Sequence, residues 1–251
     1  MKTAELTRPN LFECQALRVG IGGRAILPAL DLSVKSGQFW AIVGRNGAGK
    51  TTWLRTLLGL LPAVSGRVKA AQDVRVSYLP QRSGLDDLYP LLAREVVSIG
   101  AQRGWSFLGA LGSRGHEEKV ERALAEVDAS ELSEKPFRSL SEGQKQRVLF
   151  ARLVAGDAEI AILDEPTSAM DKVAEREAFE LIRKLQQSHG MAVLVVSHYL
   201  SIVREFADHA LLLDADAQQV VVGTPAQVFE HATFRKRYGD SVPPSAEEPR
   251  V

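Results

Sequence analysis

The sequence predicts an α/β protein: a mixed, mainly parallel sheet, an N-terminal antiparallel β subdomain, and a helical subdomain inserted between parts of the core. Three observations predict it. A glycine-rich stretch, Gly44-Arg-Asn-Gly-Ala-Gly-Lys-Thr-Thr52, lies between an apolar run, Phe39 to Val43, and a helix-like run, Trp53 to Leu61. Two more short, wholly apolar runs, Ile160 to Leu163 and Ala192 to Val196, read as strands buried on both faces of a parallel sheet. From residue 82 to 150 the spacing becomes helical, with no convincing strand.

At 251 residues, 45% of them hydrophobic, the chain suits one large domain with a sizeable core. The expected division is a single domain over 11–239. Its core and β subdomain come from 11–81 and 151–239, its helical subdomain from 82–150, and 240–251 forms a disordered tail rich in Pro, Ser and Glu. The 31 basic and 31 acidic residues leave no net charge, so nothing points to nucleic acid as a partner. The lone cysteine, Cys14, excludes an internal disulfide and reads as a small buried hydrophobe. Met1 to Asn10 lacks an apolar signal core, and no apolar run approaches the ~20 residues that span a bilayer. A membrane role would need another chain.

In chain order, Leu11–Val19 and Ala25–Val34 read as strands joined by Gly20-Ile-Gly-Gly23. Gln38–Val43 is the strand leading into the glycine-rich loop. Leu54, Leu57, Leu58 and Leu61 share a helix face that Pro62 ends. Short strands follow at 67–68 and 74–79. Leu91–Ile99 and Glu117–Val127 are candidate helices, with a loop or broken helix from Gly100 to Gly115. Beyond the strand at 160–163, Lys172–Gln187 is a helix that Gly190 caps, Leu200–Phe206 another, and 211–213 and 220–222 are closing strands. Thr224-Pro-Ala-Gln227 has the capping residues that start a last helix.

Strand, glycine-rich loop and helix form the context a phosphate-binding loop requires. The glycines Gly44, Gly47 and Gly49, with Asn46 and Ala48 between them, let several N–H groups face one anion. The helix that follows turns its positive end toward that anion. Lys50 adds a charge, Thr51 a hydroxyl for Mg²⁺, and Thr52 completes the stretch. Asp164 and Glu165 end a buried strand, the edge where open α/β sheets bind ligands. One carboxylate suits metal, the other a base for water. Ser141 and Gln144 have capping-box spacing, so Leu140-Ser-Glu-Gly-Gln144 opens a second helix whose N-terminus suits an anion. One nucleotide does not need two such loops from one chain, which suggests that the second serves another copy.

These motifs resemble the nucleotide-binding subunit of ATP-binding cassette (ABC) transporters, a P-loop NTPase fold, over roughly residues 11 to 239. Gly44–Thr51 is similar to the Walker A motif, Ile160–Glu165 to Walker B, and Leu140–Gln144 to the family signature. Gln81 matches the Q-loop glutamine, 168–171 the D-loop, and His198 the switch histidine. The resemblance implies two subunits packed head to tail as a homodimer around two ATP molecules with Mg²⁺. Each ATP would sit on one subunit's loop and be closed by the other's Ser141 and Gly143. Asp164 would hold Mg²⁺, Glu165 polarise the attacking water, Gln81 sense both, His198 contact the γ-phosphate, and Asp171 order the interface. The subunit would lie on the cytoplasmic face of a membrane, bound to an integral permease and served by an extracytoplasmic solute-binding protein. Glu142 stands where the signature usually has glycine, and Ile21 where an adenine-stacking aromatic is expected. An aliphatic side chain there loses about 1 kcal/mol of stacking.

Tyr78–Asp86, Tyr89-Pro90, Glu95–Gly100, Val222–Val228 and Tyr238-Gly239 are similar to importers of manganese or zinc, and in part to siderophore, haem and cobalamin importers. The chain holds no Cys/His cluster for the metal itself, and His116, His189, His209 and His231 read as surface or packing residues. The run Arg235-Lys-Arg237 reads as a solvated helix face. The alternatives are a soluble ATP switch of the same superfamily acting on ribosomes or DNA, and a module that binds nucleotide without hydrolysing it. The single cassette disfavours the first; Glu165 with His198 disfavours the second.

Overall fold

The computed structural model describes residues 8–81, 91–101, 114–167 and 170–239. The expectations placed on 82–90, 102–113, 168–169 and 240–251 fall outside them. These include Tyr89-Pro90, the glycines of the 100–115 connection beyond Gly100 and before Gly115, Ser168, and the tail.

In chain order the elements begin with strand β1 (Asn10–Arg18), the two-residue strands β2 (Gly20–Ile21) and β3 (Arg24–Ala25), β4 (Leu30–Lys35) and β5 (Phe39–Val43). Helix α1 (Lys50–Leu57), β6 (Ser65–Ala70), β7 (Val76–Leu79), α2 (Ala93–Ala101) and α3 (Arg114–Glu126) follow. Next come α4 (Glu142–Ala155), β8 (Ile160–Asp164), α5 (Lys172–His189), β9 (Ala192–Val196) and α6 (Leu200–Phe206). The last are β10 (His209–Asp214), β11 (Gln219–Gly223), α7 (Pro225–Glu230) and α8 (Ala232–Tyr238).

Three expectations are corrected. The strand foreseen over Ala25–Val34 is broken, because Pro28 cannot donate to a ladder. The helix foreseen to Leu61 stops at Leu57: Gly59 takes a left-handed φ of 70°, and the amides of Leu60 and Leu61 turn back to the Arg55 carbonyl. The helix begun by the Thr224 capping box is not the last. It ends at Glu230, and His231 caps a further helix by accepting from the Thr233 amide.

The chain divides into two compact units, Pro9–Ala71 with Leu194–Val251, and Met1–Arg8 with Gln72–Val193. In the first unit, β1 pairs antiparallel with β4 and β6. Strand β10 runs parallel to β5 and antiparallel to β11. All of β5 is buried, as its continuous apolar run requires. Cys14, on β1, is buried too; burial, with Asp31 and Glu13 adding, pushes its thiol up to about 12, so it stays an unreactive thiol. Helices α7 and α8 carry an aromatic ladder, Phe229 on Phe234 and Phe234 stacked on Tyr238 at 4.6 Å.

In the second unit, β7 runs parallel to β8, and the Ala192 amide opening β9 donates to the Glu159 carbonyl. Helices α2, α3 and α4 pack on one another through Val96, Val97, Leu124, Val148 and Phe150, all buried. Gly190 closes α5 in the left-handed conformation (φ 63°), as its position predicts.

Candidate active site: a phosphate loop and a carboxylate strand end

In the first unit, β5 delivers Gly44 against the end of β10. A Cβ on Gly44 would lie 2.6 Å from the Leu213 carbonyl oxygen, so no other residue fits without moving the strand. Gly49 precedes α1 with φ 96°, and no side chain caps that helix. No acidic residue stands in its first turn. Its leading N–H groups and dipole are therefore open to an anion, without competition from a carboxylate or a capping side chain. Lys50 is buried to 7% exposure; its Nζ donates to the carbonyls of Gly44 (2.7 Å) and Arg45 (3.0 Å), which holds the ammonium across the loop. Fully buried Trp53 and Leu54 fix the helix behind it.

A cavity of about 330 Å³ adjoins the loop, lined by Gly44, Arg45, Asn46, Ser197, His198 and Tyr238 among others. Strand β9 ends at Val196. The Ser197 hydroxyl accepts from the Tyr199 amide (3.1 Å), which turns the chain at His198 into α6. Sequence reasoning placed His198 near the phosphate loop by resemblance; in this unit the two line one cavity. Ile21 projects from the β2–β3 hairpin at 67% exposure, a large apolar side chain left in solvent.

In the second unit, parallel pairing puts Leu79 opposite Leu163, so Gln81 and Glu165, each two residues further on, leave the strands side by side. Gln81 Nε2 donates to Glu165 Oε2 at 2.5 Å. Glu165 has φ 52°, a conformation a non-glycine residue rarely adopts and one that concentrates at functional sites. Asp164 is 4% exposed and accepts from the Tyr78 hydroxyl at 3.4 Å. Tyr78 was missed as a neighbour of this site. The β7–β8 register, which the sequence does not give, is the signal that finds it.

Ser141 closes the expected capping box on α4: its Oγ accepts from the Gln144 amide (3.3 Å) and its own amide donates to Gln144 Oε1 (3.0 Å). Glu142 is paired along the helix with Lys145 at 3.0 Å, which draws its carboxylate toward the helix's own next turn. A Cβ on Gly143 would meet nothing within 4 Å. Glycine in a first helical turn costs stability and is required by no neighbour among the described residues. Asp171 caps α5, accepting from the amides of Val173 (3.0 Å) and Ala174 (2.9 Å).

Buried parallel strands and a glycine-rich loop opening a helix in one unit, with two carboxylates ending a buried strand in the other, define a nucleotide-binding protein of the phosphate-loop class. Comparison with known proteins gives the family. Residues 27–168 match the ABC transporter family. The chain is 34% identical to a zinc import ATP-binding protein, ZnuC, of Halorhodospira halophila over 93% of its own length and 85% of that protein. It is 35% identical to the ZnuC of Cereibacter sphaeroides over 92% and 89%. In three dimensions it resembles MJ1267, an ATP-binding cassette of an ABC transporter in its ADP conformation, with a TM-score of 0.78, 22% identity, and coverage of 92% of this chain and 98% of that one. The chain belongs to the ABC transporter family. It is an ATP-binding ATPase subunit whose hydrolysis is coupled to transport. Among the described residues no helix is long and apolar enough to cross a membrane.

Proposed function

We propose that two copies of this chain pack head to tail and hydrolyse Mg²⁺-ATP in two shared sites, driving import of a metal ion, zinc first among candidates, through a separate membrane permease. The observation that carries the shared sites is Gly143. It lies in the first turn of a capped helix whose N-terminus suits a phosphate, yet its missing side chain is required by nothing among the described residues of its own chain. A ligand brought close by a second copy accounts for both facts.

In this reading Gly44, Asn46, Gly47, Ala48, Gly49 and Thr52 cradle the phosphates and Lys50 neutralises them. Ile21 covers the adenine. Thr51 and Asp164 offer the hard oxygen donors that suit Mg²⁺, whose charge would offset that of the phosphates. Glu165 polarises the attacking water, and Gln81 keeps its carboxylate aimed. His198 contacts the γ-phosphate. Ser141 and Gly143 of the other copy close over that phosphate, and Asp171 orders the interface. No covalent intermediate is involved: fixed charge and positioning lower the barrier. Helices α2, α3 and α4 face the permease. The pair sits on the cytoplasmic face of the membrane, and a solute-binding protein outside delivers the ion. Zinc is supported by the names of the relatives.

The test is uptake. Cells lacking this chain should take up ⁶⁵Zn²⁺ several-fold more slowly at low external zinc, and a Glu165→Gln copy should not restore uptake. Normal zinc uptake with impaired manganese uptake would move the cargo to manganese. Normal uptake of both would sink the metal-import reading.

A further inference from the structure

The last described helix, α8, lies outside the ATP motifs, although it ends in the Tyr238-Gly239 pair, and that end lies against the phosphate loop. Three contacts place it there. Arg237 forks onto Asp214, Nε to Oδ2 at 2.5 Å and Nη2 to Oδ1 at 3.0 Å. Asp214 directly follows Leu213, whose carbonyl presses on Gly44. Phe234, 1% exposed, stacks on Tyr238 and fixes its ring. Tyr238 then lines the same cavity as Gly44, Asn46 and His198.

We propose that Tyr238 is a further nucleotide-binding residue, its hydroxyl donating a hydrogen bond to the terminal phosphate of ATP from the side of His198. The chemistry of the cavity suits an anion. Arg45, Asn46 and His198 line it. Burial, with Asp214 adding, raises the Tyr238 phenol and outweighs the opposing Arg45 and Arg237 charges, so the group stays a protonated donor at neutral pH. A donor aimed at the last phosphate separates ATP from ADP, which lacks it. The inference rests on the ATP-binding reading above.

Tyr238→Phe removes the hydroxyl and keeps the ring stack on Phe234. In the full-length protein, Mg²⁺-ATP and Mg²⁺-ADP affinities should be measured by titration, with the melting temperature beside them. The expected result is about tenfold weaker ATP binding with ADP binding and melting temperature unchanged, as for one lost hydrogen bond to a charged group. Lys50→Ala serves as control and should weaken both nucleotides. If the Phe variant binds ATP as tightly as the parent, Tyr238 only fills space and the proposal falls, while the ATP reading stands. Equal weakening of ATP and ADP also overturns it. If the parent binds neither nucleotide, the ATP reading fails and this proposal with it.

Discussion

Glu165 joins a left-handed backbone, a position just past a buried strand, and a short hydrogen bond from Gln81. The first two were readable only in part. The strand and its acidic end are patterns in the sequence, but the backbone twist that swings Glu165 toward Gln81 appears only once β7 and β8 pair. In its proposed role as general base, Glu165 should account for about 10²–10⁴-fold of the turnover. Glu165→Gln should therefore lose at least a hundredfold in kcat while its ATP affinity stays near that of the parent. A variant that hydrolyses at the parental rate would remove Glu165 from the role. Ile21 is the opposite case: its exposed position on the β2–β3 hairpin followed from the turn glycines beside it. Ile21→Tyr should tighten ATP binding by roughly 2- to 10-fold, equal to about 0.5–1.5 kcal/mol of aromatic stacking. Unchanged or weaker binding would mean that the base lies elsewhere.

At the scale of elements, helix ends carry much of the site. The Ser141 and Thr224 capping boxes were legible because Ser/Thr and Gln three residues apart have one physical use before an apolar run. The break at His231 was not, because a histidine cap satisfies an amide without any spacing rule to announce it. Asp171→Ala removes the α5 cap and should cost ~1 kcal/mol, a fall of about 2–4 °C in melting temperature. A loss of ATPase activity larger than that destabilisation explains would add the interface role. The docking of α8 depends on Asp214. Burial alone would raise this carboxyl, but hydrogen bonds from Arg237 and Ala217 and the Arg237 charge hold it below the usual carboxylate range. A depressed carboxylate contributes stability that is fully present above its unfolded pKa of about 3.9 and is lost as pH falls through the folded value. Asp214→Asn should thus melt below the parent at pH 7, and the gap should narrow as pH falls below about 3.9 and on through the lower folded value. A gap that did not narrow at all with falling pH would show that packing, rather than the ion pair, holds the helix.

For the whole molecule, the buried strands at β5, β8 and β9 were legible because a strand covered on both faces is continuously apolar. The division into units was not, since it depends on which strands pair and not on local composition. The candidate site was legible as motifs, and its neighbours Tyr78 and Tyr238 were not, because each reaches the site through tertiary placement. The shared site is the central claim, and mixing two inactive variants tests it most directly. Lys50→Ala disables the phosphate loop, and Ser141→Arg blocks the signature helix. Each alone should leave no working site in a homodimer. When the two purified proteins are mixed, a heterodimer joins the intact loop of one to the intact signature of the other. The account predicts that ATP hydrolysis reappears on mixing, toward a quarter of the parental rate. Mixtures that stay inactive while forming dimers, or a Ser141→Arg protein active by itself, would contradict it.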